Sequence, residues 1–145
     1  METWEIGIRE GVRQTLSDYT AATDRFDLHA LAACFASDGV LEFTGGTGAL
    51  TGPEAIEAGL GSAMAREPDP HKQMPSHVRH HVSSIRFESV SRDRVEVSSY
   101  FAVHTDVGLD HWGRYRDVLV CAAGRWVFAQ RQIKVDGFAA GSLMR

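Results

Sequence analysis

Apolar residues recur at helical spacing through the first part of the chain. The first run predicts an amphipathic helix over roughly residues 4–23, and its members are Ile8, Val12, Leu16 and Tyr19. A second, short helix is expected after Asp27, because an aspartate side chain can accept a hydrogen bond from a free amide of the first helical turn. The apolar face of this second helix is predicted to contain Leu28, Leu31, Ala32 and Phe35.

A short strand and a third helix follow. Residues 40–44 read Val-Leu-Glu-Phe-Thr, which is typical of a strand, and the glycine-rich segment 45–48 predicts a flexible turn. Pro53 suits the first turn of a third helix, which carries apolar side chains along one side. Three prolines between positions 68 and 75 then predict a long loop that ends near His77.

The second half of the chain has the alternating pattern of long strands. Four strands are predicted, over residues 80–88, 95–105, 113–121 and 126–135, with turn residues between them. Helices followed by a meander of strands favour an α+β fold, a cone in which a curved antiparallel sheet wraps around the N-terminal helices. Since the chain shows no internal repeat and no second compositional region, residues 1–145 are expected to form one domain.

Both faces of the predicted sheet carry apolar residues. In strand 95–105 one face is formed by Val95, Val97, Phe101 and Val103, and the other by Glu96, Ser98, Tyr100 and His104. Short helices cannot cover such a sheet tightly, so we expect a pocket between the helices and the mixed face, whose polar groups would supply the chemistry. The apolar face would then point outward, which predicts a homo-oligomer, most simply a dimer packed through the sheet.

Composition and charge narrow the possible functions. The 145 residues are 43% hydrophobic and 23% charged, with a net charge of −4. No basic stripe indicates nucleic-acid binding, and no apolar run approaches the ~20 residues that a membrane span needs. Acidic residues among the first eleven do not fit a signal peptide, so the cytoplasm is the expected compartment.

Histidines are the sharpest chemical feature. His77, His80 and His81 lie within five residues, at the start of a predicted strand. Adjacent strand residues point to opposite faces and no metal-binding motif accompanies them, so no metal or other cofactor is expected. These histidines are either structural or catalytic. Alternation groups His81 with apolar Ile85, whereas a bulge near residues 83–84 would turn His80 inward instead.

Three segments carry a family resemblance. They are Tyr19-Thr-Ala-Ala-Thr-Asp24 with the residues up to Gly39, His80-His-Val-Ser-Ser-Ile-Arg-Phe-Glu88, and the pair Gly113-Arg-Tyr115-Arg-Asp117 and Gly124-Arg-Trp126-Val-Phe128-Ala-Gln-Arg131. Together they resemble the SnoaL-like proteins of the nuclear-transport-factor-2-like superfamily. The resemblance implies a cystatin-like α+β roll that binds a hydrophobic small molecule without a cofactor.

The resemblance also implies a site. Scytalone dehydratase and the bacterial bile-acid dehydratase have an aspartate at the end of the first long helix and a histidine at the start of a long strand. Asp24 and His80 match these positions and are therefore expected to form a general acid/base pair, with Tyr19 as an assisting phenol. The substrate pocket is expected to include Phe43, Tyr100, His104 and Tyr115. Phe43 and Tyr115 differ from the scytalone dehydratase pattern, which implies a different substrate.

Three functions remain open from the sequence. The first is a cofactor-independent lyase or double-bond isomerase that uses Asp24 and His80. The second is a cyclase of polyketide or related secondary metabolism, in which the pocket mainly folds a reactive substrate. The third is a small-molecule-binding module without catalysis. Fold resemblance alone does not choose among them, because the superfamily contains all three classes.

Overall fold

Three helices and six strands make up the part of the chain that the computed structural model describes, residues 1–46, 48–64, 71 and 73–145. The helices are α1 (Thr3–Asp24), α2 (Leu28–Ala32) and α3 (Pro53–Met64). The strands are β1 (Phe35–Phe43), β2 (Gly48–Thr51), β3 (Arg79–Val90), β4 (Arg94–Thr105), β5 (Gly108–Ala122) and β6 (Arg125–Phe138). Thr47 of the predicted turn, and Pro68 and Pro70 of the predicted loop, lie outside the described residues.

The strands form one curved sheet in the order β2-β1-β6-β5-β4-β3. Strands β3, β4, β5 and β6 pair antiparallel with one another, as predicted, and the α+β class is confirmed. Strand β1 pairs antiparallel with β2 but parallel with β6, so the sheet is mixed rather than purely antiparallel. No hairpin joins β1 to β6, and their relative direction therefore follows from the whole chain path and not from a local turn.

The region between α2 and β1 differs from its prediction. Asp27 caps α2 as expected, with Oδ1 accepting a hydrogen bond from the Ala30 amide at 3.0 Å. The helix ends at Ala32, however, and Phe35 belongs to β1 rather than to the apolar helix face. The backbone carbonyl of Cys34 accepts a hydrogen bond from the Phe128 amide at 2.8 Å, and this bond joins the start of β1 to β6.

Helix α1 covers the inner face of the sheet. Its buried side chains recur at the predicted spacing and are Val12, Thr15, Leu16, Tyr19 and Ala22. The inner face of β4 is formed by Val95, Val97, Phe101 and Val103, all of them buried. The outer face carries Tyr100, which is 56% exposed, and the exposed His104.

This orientation overturns the premise for the predicted oligomer. An exposed apolar surface was expected to contain Val95, Val97, Phe101 and Val103, whereas these side chains fill the core beneath the helices. Alternation separates the two faces of a strand but does not say which face the rest of the chain covers. Among the described helices, none is long and apolar enough to cross a membrane.

Candidate functional site

A largely apolar cavity of about 240 Å³ lies between the helices and the inner face of the sheet. Its apolar walls come from α2, α3 and the sheet, and include Leu31, Leu60, Phe101, Ile133 and Val135. The polar or titratable side chains on the wall are Tyr19, Thr23, His80, His111 and Tyr115. A few polar groups in an apolar enclosure are typical of a small-molecule site. A larger depression of about 500 Å³ lies on the outer face and is lined mainly by charged and polar residues.

Asp24 and His80 are joined by a short hydrogen bond. Nδ1 of His80 lies 2.6 Å from Oδ1 of Asp24, and the backbone amide of His80 lies 3.1 Å from each oxygen of the same carboxylate. Both side chains are largely buried, with 12% of His80 and 14% of Asp24 exposed. Since a carboxylate can only accept, Nδ1 carries the hydrogen and Nε2 of a neutral His80 keeps a free lone pair.

Asp24 and His80 do not both line the apolar cavity. His80 lines the apolar cavity, whereas Asp24 lines a groove of about 400 Å³ between α1 and β3. His80 also contributes to the lining of this groove. Helix α1 ends at Asp24, so its carboxylate can turn toward β3 although Tyr19, five residues earlier, points into the cavity. The pair therefore lies at the wall between the apolar cavity and this groove.

A β-bulge sets the direction of His80. Ser84 has a φ of 51°, and the register between β3 and β4 shifts between Ser83 and Arg86. His80 and Val82 consequently point inward before the bulge, and Ile85 points inward after it. Simple alternation would have turned His81 inward, but His81 is exposed and packs beside His104, with ring centroids 4.8 Å apart.

The environment of His80 favours the neutral imidazole. Burial lowers the pKa of His80 below its ordinary value, although the hydrogen bond and the charge of Asp24 act in the opposite direction. A neutral histidine with a free Nε2 lone pair can accept a proton from a bound molecule at neutral pH.

A buried ion pair supports the two phenols of the cavity. Arg131 donates from Nε and Nη2 to the two oxygens of Asp117 at 2.9 and 3.0 Å, and neither side chain is exposed. The guanidinium carbon lies 4.3 Å from the ring centroid of Tyr19 and 3.7 Å from that of Tyr115. Burial raises the pKa of both phenols, so each stays protonated and can donate a hydrogen bond.

The expected pocket residues divide into two groups. Phe43 and Tyr115 line the cavity. Tyr100 and His104 do not, because they lie on the outer face of β4, on the opposite side from inward-facing Phe101. Their expected place in the pocket is therefore corrected.

Two side chains near the cavity were not predicted from the sequence. His111 lines its wall, and Arg131 packs against its two phenols. Asp117 could have indicated Arg131. It shares a strand face with Tyr115, and a carboxylate buried on that face needs a cationic partner. The signal for His111 was weaker, because the predicted strand began only at Gly113. Within the described ranges, no three histidine, cysteine or acidic side chains are placed to hold a metal ion.

The chain belongs to the SnoaL-like domain family, which matches residues 4–132. Among curated protein sequences, none matches this chain. The family membership confirms the resemblance that the sequence carries.

Solved structures with the same fold cover nearly the whole chain. A proposed scytalone dehydratase from Novosphingobium aromaticivorans is 20% identical, covers 96% of this chain and 91% of its own, and has a TM-score of 0.78. LinA is 21% identical over 95% of this chain and 93% of its own, with a TM-score of 0.77. Aln2 from a Streptomyces species is 28% identical over 90% of this chain and 91% of its own, with a TM-score of 0.74.

Proposed function

We propose that this protein is a cofactor-independent lyase or double-bond isomerase that acts on a small, hydrophobic, oxygenated cyclic molecule. His80 is the base in this proposal and Asp24 orients it. The observation that supports the proposal most strongly is the 2.6 Å hydrogen bond that leaves Nε2 of His80 free at the wall of an apolar cavity. The relative described as a scytalone dehydratase supports the same class of reaction.

The chemistry requires a base at neutral pH. Removing a proton from the carbon beside a carbonyl generates an enolate, and His80 accepts that proton at Nε2. Asp24 fixes the tautomer of the ring and stabilises the imidazolium that forms. Tyr19 and Tyr115, which stay protonated, can donate a hydrogen bond to the carbonyl oxygen as its negative charge grows.

The cavity selects the substrate class. Its wall is mostly apolar, so a neutral ring or fused pair of rings gains free energy by burial there. A charged substrate would lose its hydration there, and the Arg131 guanidinium is already paired with Asp117. We therefore propose hydroxylated cyclic ketones and related enones as the substrates to be screened first.

Turnover of two probes tests the proposal. The β-hydroxy derivative of α-tetralone loses water to give fluorescent α-naphthol, and a β,γ-unsaturated cyclohexenone gives a conjugated isomer that absorbs more strongly in the ultraviolet. Wild-type protein should accelerate at least one reaction above the spontaneous rate, and His80→Ala should remove that acceleration. His104→Gln is the matched control, because His104 is an exposed histidine on the outer face.

The other two functions correspond to different outcomes. A probe that is turned over equally well by wild type and His80→Ala would favour a cyclase-like pocket that acts by shaping its ligand. Tight binding of α-naphthol without turnover of any hydroxylated ketone or enone would favour a binding module.

A further inference from the structure

A second aspartate–histidine pair lies on the same cavity. His111 lines the cavity from β5, with 12% of its side chain exposed, and its Nδ1 lies 2.9 Å from Oδ1 of Asp110. The ring of Phe101 is near both histidines, with its centroid 6.4 Å from that of His80 and 6.2 Å from that of His111. One ligand seated on Phe101 can therefore meet both imidazoles.

The hydrogen bonds of Asp110 fix the tautomer of His111. Asp110 is fully buried, and its Oδ1 also accepts from the Ser142 hydroxyl at 2.6 Å. Its Oδ2 accepts from the Thr105 hydroxyl at 2.9 Å and from the Leu143 amide at 2.8 Å. Burial alone would raise the pKa of Asp110, but the bonds from Ser142, His111, Leu143 and Thr105 lower it to about 2. The carboxylate is thus ionised at neutral pH and accepts a hydrogen from Nδ1 of His111.

Nε2 of His111 is the nitrogen left for a ligand. Within the described part of the chain, Nδ1 has a protein partner and no hydrogen bond to Nε2 is found. The C-terminal segment that Asp110 holds also reaches the cavity, because Met144, next to Leu143, is part of its wall. Asp110 thereby positions both an imidazole and one edge of the enclosure.

We propose that His111 is a second catalytic residue of this cavity and that Asp110 is its positioning residue. The inference rests on the proposed function and adds a proton donor to it. In dehydration of a β-hydroxy ketone, Nε2 of His80 takes the proton from the α-carbon. The electron pair of that C–H bond forms the new C=C bond, and the C–O bond breaks with its electrons moving to oxygen.

His111 completes the step as an imidazolium. Its Nε2 gives a proton to the departing hydroxyl, so water leaves, His80 becomes the imidazolium and His111 becomes neutral. Exchange with water then returns a proton from His80 to His111, and no oxidant or reductant is needed. A donor of this kind is useful because hydroxide is a poor leaving group and water is a good one.

Several charged or titratable groups line the same cavity as His111 or lie beside its ring. Among the described residues they are Asp110 on its own strand, His80 on β3, and the phenols Tyr19 on α1 and Tyr115 on β5. Strands β4 and β6 pack Phe101 and Phe138 against the ring, and Arg145 lies over Phe138. Of these groups, Asp110 is the one whose carboxylate hydrogen-bonds to the His111 ring.

A binding experiment tests the geometry without turnover. Ring ¹⁵N NMR of the full chain is recorded with and without α-naphthol, whose hydroxyl resembles the leaving oxygen. Neutral His111 should be the Nδ1–H tautomer, and naphthol should shift Nε2 of both His80 and His111 while leaving His104 unchanged. A shift of His80 alone, or an Nε2–H tautomer of neutral His111, would overturn the proposal and leave the role of His80 intact. If neither ring responds, the proposed function and this inference both fail.

Kinetics with the β-hydroxytetralone test the donor role. His111→Gln should lower kcat by about 100-fold and remove the alkaline limb of the pH profile, while the acid limb that reports His80 remains. Asp110→Asn should also change the alkaline limb, whereas His104→Gln, which changes an exposed histidine on the outer face, should leave the limb in place. If His111→Gln keeps both limbs and a near-normal rate while His80→Ala is inactive, the second catalytic residue is ruled out and the proposed function stands.

Discussion

His80 and Asp24 make two kinds of contact across 56 positions of sequence: a ring hydrogen bond of 2.6 Å and a backbone hydrogen bond from the His80 amide to the same carboxylate at 3.1 Å. The backbone contact ties the carboxylate to the start of β3, and the ring contact then fixes the imidazole. Neither residue can reorient alone without breaking a bond at the other. This arrangement supports the proposed role of His80 as an oriented base.

The protonation of His80 gives the first prediction. Because burial lowers its pKa, the neutral base should persist below pH 6.5 and disappear only as the pH falls through the lowered value. NMR titration of the His80 ring should therefore have a midpoint below 6.5. In Asp24→Asn the midpoint should fall further, since the bond and charge that oppose burial are weakened. A midpoint above 6.5 in wild type, or a rise in the variant, would contradict this account.

The buried pair of Asp117 and Arg131 gives a stability prediction. Asp117→Ala leaves a guanidinium without its carboxylate in a fully buried position, which typically costs about 3–5 kcal/mol. Chemical denaturation should detect this loss. Asp136→Ala is the control, because its bond to Arg114 is on the surface and is expected to contribute under about 1 kcal/mol. Equal losses of unfolding free energy in the two variants would contradict the expectation that the buried pair stabilises the fold more than the surface pair does.

Asp110 gives a prediction for acid stability. Its pKa is lowered from 3.8 to about 2, so its contribution to stability is present above pH 3.8 and is lost as the pH falls toward 2. The difference in unfolding free energy between wild type and Asp110→Asn should therefore shrink by about 2 kcal/mol over this interval. Denaturation at a series of pH values measures the difference. A difference that stays constant with pH would mean that Asp110 is not held as a carboxylate.

Local sequence patterns predicted most of the elements. The spacing of Val12, Leu16 and Tyr19 fixed the buried face of α1, and the Asp27 cap marked the start of α2. Alternation with turn residues located the four long strands to within a few residues at most ends. These features depend on interactions between near neighbours, which a sequence displays directly.

The remaining features do not follow from hydrophobic periodicity alone. Helix α1 covers one face of β4. The alternation of apolar residues in β4 groups Phe101 with its neighbours on that face, but it does not show whether the face points toward the core or toward solvent. The direction of His80 depends on the bulge at Ser84, and only the family resemblance favoured His80 over His81. His111 was not predicted as a site residue because β5 begins at Gly108, whereas the local pattern indicates a strand only from Gly113.

The most direct test of the central proposal is a double-mutant cycle on the rate of the β-hydroxytetralone reaction. His80→Ala and Asp24→Asn should each lower kcat/KM by roughly 10²–10⁴-fold, with folding checked by thermal denaturation and His104→Gln as the control. Because the two residues act as one unit, the double variant should be little slower than the slower single variant. Losses that multiply, or single variants that fold normally and keep near-normal rates, would contradict the proposal that Asp24 and His80 work together.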